Sequence, residues 1–331
     1  MQIDHDPGDH PFRGAIGLVV ASLIIMTLVG LVAQHYLLPA PYAGVRLEHS
    51  VVYVSARRFE THGLELLEDT GAAIRLTPWT AARADAILKP PVTILVHGYN
   101  SQEHRIATYF ADLIGYLRED ARFAGSLLVL DWPARGMPLD ELPTSQRVQL
   151  EMMSQNRPTW IGYEGAMYGG DQSTAEGVGS RSLLALLATL PRRHDGKIHI
   201  IAHSMGCYLT MHAMKEQPDA FARIARMIWL APDVPATVVS EPWIGNAVAR
   251  LARGLSVHYS RNDGLLTGAS RIANVSSRLG GVGPVPGAHP VPKLDFVDMT
   301  EDLGTGNVHG GYLNRGSTSA RWIARELAAA R

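Results

Sequence analysis

The chain has 331 residues, and its 30 lysines and arginines nearly balance its 31 aspartates and glutamates, so we expect no nucleic-acid partner. The single cysteine, Cys207, excludes an internal disulfide bond. The 14 histidines are scattered without metal-ligand spacing, and we expect neither a metal nor an organic cofactor.

The first element in the chain is an apolar segment over residues 14–38, which has no charged side chain unless His35 is protonated. A helix needs about 20 apolar residues to cross the hydrocarbon layer, and this segment is long enough. A cleaved signal peptide would have a basic start and a shorter apolar region, and a soluble helix would have a polar face. We therefore predict a tail over 1–13, one transmembrane helix over 14–38 and a linker over 39–48. The flanking charges leave its orientation open.

From residue 49 onwards, short β-rich runs alternate with longer stretches of helical spacing. This pattern is typical of an α/β domain with a mostly parallel sheet and helices on both faces, here over 49–331. The predicted strands span 51–58, 74–76, 92–100, 126–133, 197–202, 226–234, 255–263 and 294–300. The predicted helices span 102–120, 173–190, 207–215 and 317–330. Residues 134–170 are rich in Met, Pro, Trp and Gly and are predicted to form a rim or lid insertion.

A strand, a tight turn and a helix follow one another in the sequence KIHIIAHSMG, in which Ser204 occupies the turn. This arrangement is typical of a nucleophile elbow, which lifts a serine hydroxyl above the edge of a sheet. Gly206 supplies the small residue that such a crowded turn requires, whereas Ala202 stands where the first glycine of G-x-S-x-G usually lies. The alternative is a serine that only caps a helix. We predict that Ser204 is the nucleophile.

An oxyanion hole is predicted where the strand 92–100 ends in the sequence HGYN. In folds with such an elbow, a backbone N–H from this loop acts together with the N–H that follows the nucleophile. Those two donors are the backbone amides of Tyr99 and Met205. Gly98 allows the chain to pass close to the substrate carbonyl.

The acid and the base of a nucleophilic site are expected to follow Ser204 in the order carboxylate, then histidine. His309 follows the last predicted strand on a glycine-rich loop. The histidines between Ser204 and His309 lie on a helix (His212), within a strand (His258) or at the wrong end of the sheet (His289). Two carboxylates come just after strands, Asp263 and Asp233. We favour Asp263, because the usual acid follows the penultimate strand, and keep Asp233 as the alternative.

These motifs together resemble the α/β-hydrolase superfamily, and more closely a bacterial branch of it. The resemblance is carried by ILVHGYN, Trp132-Pro133, HIIAHSMG, LAPDV, the stretch 259–271, Arg-Leu-Gly at 278–280 and His-Gly-x-Tyr at 309–312. It implies the α/β-hydrolase fold and, residue by residue, the set Ser204, Asp263 and His309. It supplies a reaction class and no substrate.

We therefore expect a membrane-anchored serine hydrolase of esterase, lipase or thioesterase type that cleaves an ester-like bond through an acyl-enzyme. Its expected partners are a small-molecule or lipid-like ester and, through the single-pass helix, the bacterial inner membrane. Two other functions stay open: an acyltransferase, and a non-catalytic, membrane-tethered binding module on a hydrolase scaffold.

Overall fold

The computed structural model of the protein describes residues 42–99, 101–134, 168–285 and 290–329. The predicted transmembrane helix over 14–38 and nearly all of the predicted insertion over 134–170 lie outside the described residues. Within the described ranges, none of the helices combines the length and the apolar character that crossing a bilayer requires. The described residues from Gly44 onwards form one compact unit.

The centre of this unit is a sheet with nine described strands, in the order β3-β2-β1-β5-β4-β6-β7-β8-β9. Every neighbouring pair from β1 across to β9 is parallel, and β2 pairs antiparallel with both β1 and β3. The strands are β1 (Val51–Ser55), β2 (Glu65–Asp69), β3 (Ile74–Pro78), β4 (Val92–Val96), β5 (Ser126–Asp131), β6 (Ile198–His203), β7 (Ile224–Leu230), β8 (Leu255–Tyr259) and β9 (Leu294–Asp298).

Eleven α-helices lie within the described residues, most of them short. They are α1 (Phe59–His62), α2 (Ala81–Ile87), α3 (Ala111–Gly115), α4 (Ser180–Thr189), α5 (Met205–Glu216), α6 (Pro242–Arg250), α7 (Ser270–Asn274), α8 (Leu279–Val282), α9 (Thr300–Leu303), α10 (Val308–Gly311) and α11 (Thr318–Ala328). Residues 168–174 are also helical. Wider π-helical turns precede or follow three of these helices, at Tyr116–Asp120, Ala175–Gly179 and Leu265–Ala269.

The central strands are buried along their whole length, which explains their unbroken apolar sequences. Every residue of β4, β6, β7 and β8 is buried. Because successive side chains of a strand point to opposite faces, both faces of the sheet are covered here. The edge strands β3 and β9 instead expose residues along their length.

Two elements differ from the sequence predictions. Strand β2, with the sequence ELLED, is absent from the predicted strands, because its acidic ends hide the β pattern; it is held by its antiparallel pairing with β1 and β3. The single helix predicted over 102–120 is divided into a 3₁₀ turn at Glu103–Arg105, α3 and a π-helical turn. Tyr109 lies between the 3₁₀ turn and α3, and its hydroxyl contacts Gly98 just after β4 and His203 at the end of β6.

The sheet changes its winding direction at β4, since β5 lies on one side of this strand and β6 on the other. In open α/β sheets, ligands bind outside the carboxyl ends of the strands at such a switch point. The residues after β4 and β6, which include Gly98 and Ser204, therefore lie where this topology places a ligand site.

Candidate active site

Ser204 occupies a strained turn between β6 and α5. Its φ of 56° and ψ of −124° lie outside the conformations that most side chains adopt, and its side chain is almost buried. A Cβ atom on Gly206 would lie 2.5 Å from the carbonyl oxygens of both Val96 and His97. Only glycine therefore lets α5 start this close to the end of β4.

The imidazole of His309 lies between the hydroxyl of Ser204 and the carboxylate of Asp263. The distance from His309 Nε2 to Ser204 Oγ is 2.9 Å, and the distance from His309 Nδ1 to Asp263 Oδ2 is 2.7 Å. These residues are far apart in the sequence and are brought together because each follows the carboxyl end of a strand or lies in the loop beyond the last strand. The structure thus joins the three side chains that the sequence singled out.

The environment of Asp263 determines the tautomer of His309. The carboxylate is fully buried, and its other oxygen accepts two backbone N–H groups, from Leu265 and Leu266, at 3.2 Å each. An ionised carboxylate only accepts hydrogen bonds, so Nδ1 of His309 carries the proton and donates it. In the neutral ring, Nε2 is then the acceptor for the hydroxyl of Ser204.

The chain turns closely past Ser204 at Gly98. A Cβ atom on Gly98 would lie 2.8 Å from Cβ of Ser204 and 2.7 Å from the hydroxyl of Tyr109, so no larger residue fits. The carbonyl of Gly98 accepts a hydrogen bond from Nδ1 of His97 at 3.0 Å, which orients the peptide group that also contains the N–H of Tyr99. The Trp132 indole in turn donates to the carbonyl of His97 at 2.8 Å.

The second predicted oxyanion donor, the N–H of Met205, lies in the first turn of α5. The first N–H groups of a helix have no acceptor within it and point outwards with the positive end of the helix dipole. The predicted donors thus belong to the neighbouring ends of β4 and β6, on either side of the switch point.

A buried ion pair supports the loops that follow β4 and β5. Nε of Arg57 donates to Asp131 at 2.9 Å, and the same guanidinium donates to the carbonyls of Ser101 and Ala134. Burial would raise the pKa of Asp131, but the charge of Arg57 and hydrogen bonds outweigh it and lower this pKa to about 2. The carboxylate therefore stays ionised and holds in place the guanidinium that joins the two loops.

The alternative acid, Asp233, contacts other groups. Its carboxylate accepts hydrogen bonds from Nε of Arg278 at 2.7 Å, from the hydroxyl of Ser270 at 2.5 Å and from the hydroxyl of Tyr168 at 2.5 Å. Asp233 and Arg278 are both about 1% exposed. Only the backbone N–H of Asp233 reaches Ser204, by a 3.2 Å bond to its carbonyl oxygen. Burial and the nearby carboxylate raise the pKa of Tyr168.

Several residues around the site have no role in the sequence predictions. Tyr109 contacts His203, His203 contacts the backbone carbonyl of His309, and Arg278 neutralises Asp233. Arg278 belongs to the Arg-Leu-Gly motif and His203 directly precedes Ser204, so the sequence motifs could have pointed to both residues. Tyr168 carries none, because it lies in the irregular segment over 134–170. In the part of the chain that the structure describes, no group of three or more His, Cys, Asp or Glu side chains is suited to hold a metal.

A mostly parallel sheet with a strained serine turn between a strand and a helix at its switch point is the arrangement found in α/β hydrolases. The family model described as "Alpha/beta hydrolase of unknown function (DUF900)" matches residues 81–315, and the chain belongs to this family. The predicted resemblance to the α/β hydrolases is thus confirmed. Among solved structures, the chain is similar to "The crystal structure of the gene lin2722 products from Listeria innocua", at 12% identity over 71% of this chain and 92% of that one. The TM-score of this similarity is 0.34. No curated protein matches the sequence.

Proposed function

We propose that the protein is a membrane-anchored serine hydrolase that cleaves an ester-like bond through a Ser204–His309–Asp263 triad. The observation that carries this proposal is the continuous pair of hydrogen bonds from the hydroxyl of Ser204 through His309 to Asp263. A serine hydroxyl is a weak nucleophile unless an adjacent base removes its proton, and this pair of bonds provides that base.

In the acylation step, Oγ of Ser204 attacks the carbonyl carbon of the ester while Nε2 of His309 takes the hydroxyl proton. The buried carboxylate of Asp263 keeps the ring in the required tautomer and stabilises the imidazolium that forms. The bond to the leaving oxygen then breaks, and Nε2 returns its proton to that oxygen. The products of this step are the alcohol and an acyl-Ser204 ester.

In the deacylation step, a water molecule attacks the acyl-Ser204 carbonyl and gives its proton to Nε2 of His309. The bond to Oγ breaks, the proton returns to Ser204, and the acid leaves. In both steps the backbone N–H groups of Tyr99 and Met205 stabilise the oxyanion. Loss of one such donor costs roughly 3–4 kcal/mol of transition-state stabilisation in serine hydrolases.

The close packing around Ser204 supports this assignment of the oxyanion hole. Gly98 lies against Cβ of Ser204, and the bond from His97 to the Gly98 carbonyl restrains the peptide that carries the Tyr99 amide. Donors fixed in this way need no reorganisation when charge develops on the substrate, which is the physical basis of their effect.

The apolar segment over 14–38 supports the proposed membrane anchor, and the anchor in turn supports a lipid-like substrate. A domain tied to the bacterial inner membrane by one helix has ready access to lipid-like or envelope-derived esters. The anchor is tested by fractionating cells that express the full chain. We expect the protein to stay with the membranes in alkaline carbonate and to be released by detergent; release by carbonate alone would contradict the anchor.

The catalytic proposal is tested with the full-length chain in detergent, by following hydrolysis of p-nitrophenyl esters from acetate to dodecanoate. We expect turnover that Ser204→Ala lowers by about 10⁶-fold, as loss of a nucleophile does in serine hydrolases. Ser256→Ala, which removes a buried hydroxyl from β8, is the matched control and should keep its activity.

The ester assay, together with reaction of the protein with a fluorophosphonate, decides between the three candidate functions. An added alcohol that outcompetes water for the acyl group would make the protein an acyltransferase. A complete lack of turnover with every ester, together with no reaction of Ser204 with a fluorophosphonate, would favour the binding module.

A further inference from the structure

A chain of hydrogen bonds joins the end of β4 to the backbone of His309 without involving Ser204. The backbone N–H of Gly98 donates to the hydroxyl of Tyr109 at 2.9 Å. The Tyr109 hydroxyl lies 2.7 Å from Nδ1 of His203, and Nε2 of His203 lies 2.8 Å from the carbonyl oxygen of His309. The chain therefore connects the loop that carries one oxyanion donor with the short helix that carries the base.

The direction of each bond follows from the groups involved. A carbonyl oxygen only accepts, so Nε2 of His203 carries the ring proton and donates it to His309. Burial, and then the nearby His309, lower the pKa of His203 to about 3, so the ring is neutral near pH 7 and its Nδ1 is an acceptor. Burial raises the pKa of Tyr109, whose hydroxyl therefore keeps its proton and donates it to Nδ1.

The local structure around His309 is too weak to fix the ring by itself. Helix α10 has only four residues, and the loop before it contains Gly304 and Gly306 at φ values of 61° and 108°. A single helical turn has little stability of its own, so tertiary contacts must hold it. The bond from His203 to the His309 carbonyl is a contact of this kind, made inside the protein by a ring that is only 3% exposed.

We propose that Tyr109 and His203 are positioning residues, which hold the backbone of His309 so that its imidazole stays between Ser204 and Asp263. This inference rests on the proposed function. His203 acts directly on the carbonyl of His309. Tyr109 acts through His203, because its hydroxyl donates a hydrogen bond to Nδ1 of His203 and so fixes the orientation of that ring.

The test measures inactivation of the full-length protein by a fluorophosphonate, with the maximal rate constant and the half-saturating concentration determined separately. We expect His203→Leu to lower the maximal rate constant at least tenfold while the half-saturating concentration changes less than twofold. His199→Leu is the matched control, since His199 is another buried histidine of β6, neither of whose ring nitrogens has a hydrogen-bond partner among the described residues. It should react at the wild-type rate.

Two further variants separate positioning from a loss of packing. His203→Gln keeps a side-chain N–H donor and should react faster than His203→Leu. Tyr109→Phe should lower the maximal rate constant severalfold, whereas Tyr116→Phe, a hydroxyl removed from the π-helical turn after α3, should not. Because Tyr109 acts on His309 through His203, the loss in the double variant Tyr109→Phe/His203→Leu should be smaller than the product of the two single losses.

The tautomer of His203 gives a readout that does not depend on any variant. We expect ¹⁵N spectra of the histidine-labelled wild type to show a neutral His203 ring with its proton on Nε2 from pH 5 to pH 8. A proton on Nδ1, wild-type rates in both His203 variants, or multiplicative losses in the double variant would overturn the inference. If the wild type itself does not react, the proposed function fails and the inference falls with it; if the wild type reacts and the variants match it, only the inference fails.

Discussion

Replacing Asp263 by asparagine should nearly abolish catalysis and leave the fold intact. The oxygen of the new side-chain amide keeps the hydrogen bonds from the N–H groups of Leu265 and Leu266. The amide NH₂ then takes the place of Oδ2 of Asp263, which lies 2.7 Å from Nδ1 of His309. Because NH₂ only donates, His309 must present an unprotonated Nδ1 and turn a proton towards Ser204. This is the wrong tautomer for a base, and it lowers kcat by about 10⁴-fold, or about 5.4 kcal/mol.

The matched substitution Asp233→Asn should have the opposite effects. Both oxygens of this carboxylate are occupied, and the charge of Arg278 beside it is buried. Removing one partner of a buried ion pair leaves the other charge uncompensated and costs about 3–5 kcal/mol of stability. The backbone N–H of Asp233 still reaches the carbonyl of Ser204, so the folded fraction should keep activity within tenfold of the wild type.

The two variants are compared by ester turnover at saturating substrate and by urea unfolding of the same preparations. We expect Asp263→Asn to lose turnover and to keep its unfolding free energy within about 1 kcal/mol, because the amide has the size of the carboxylate, keeps both backbone hydrogen bonds and leaves no buried charge unpaired. A result with the roles exchanged, in which Asp233→Asn is stable but inactive and Asp263→Asn is active, would refute the assignment of the acid.

The remaining predictions concern stability and are checked by urea unfolding. Burial lowers the pKa of three histidines: that of His199 to about 4, and those of His203 and His258 to about 3. The unfolded chain therefore binds more protons below pH 6.5, and the unfolding free energy should fall by about 2 kcal/mol per histidine, about 6 in all, from pH 7 to pH 5; equal values at both pH values would be inconsistent with buried neutral rings. Gly206→Ala forces a Cβ against two carbonyls of the β4 end and should cost about 1–3 kcal/mol, and full stability would argue against this elbow geometry. Trp132→Phe leaves a buried carbonyl without its 2.8 Å donor and should cost about 1–3 kcal/mol, whereas an unchanged midpoint would contradict this contact.

Part of the candidate site can be predicted from the sequence because of a property of parallel sheets. Ser204 and Asp263 each follow a strand, and the carboxyl ends of parallel strands meet at one edge, so strand boundaries alone place these residues near one another. The alternation of apolar runs with helical stretches likewise predicts the mostly parallel sheet. Both inferences use only local patterns and one general rule of topology.

The sequence favours Asp263 over Asp233 only through the rule that the acid follows the penultimate strand, since both residues follow strands of the same sheet. The difference lies in the partners: Asp233 is neutralised by Arg278 and bonded to Tyr168, both distant in the chain. The periodic pattern makes Tyr109 one position of a long helix, although its hydroxyl contacts two strand ends. Contacts of this kind depend on tertiary packing, which leaves no periodic signal in the sequence.

The central claim concerns the reactivity of one hydroxyl, and peptide mass spectrometry of the fluorophosphonate-treated full-length protein tests it most directly. We predict one adduct, on Ser204, that does not form when the protein is heat-denatured before the treatment. It should form at least a thousandfold more slowly in His309→Ala, since the imidazole must take the hydroxyl proton. An adduct on another residue, or a Ser204 adduct that forms equally fast without His309, would contradict the account.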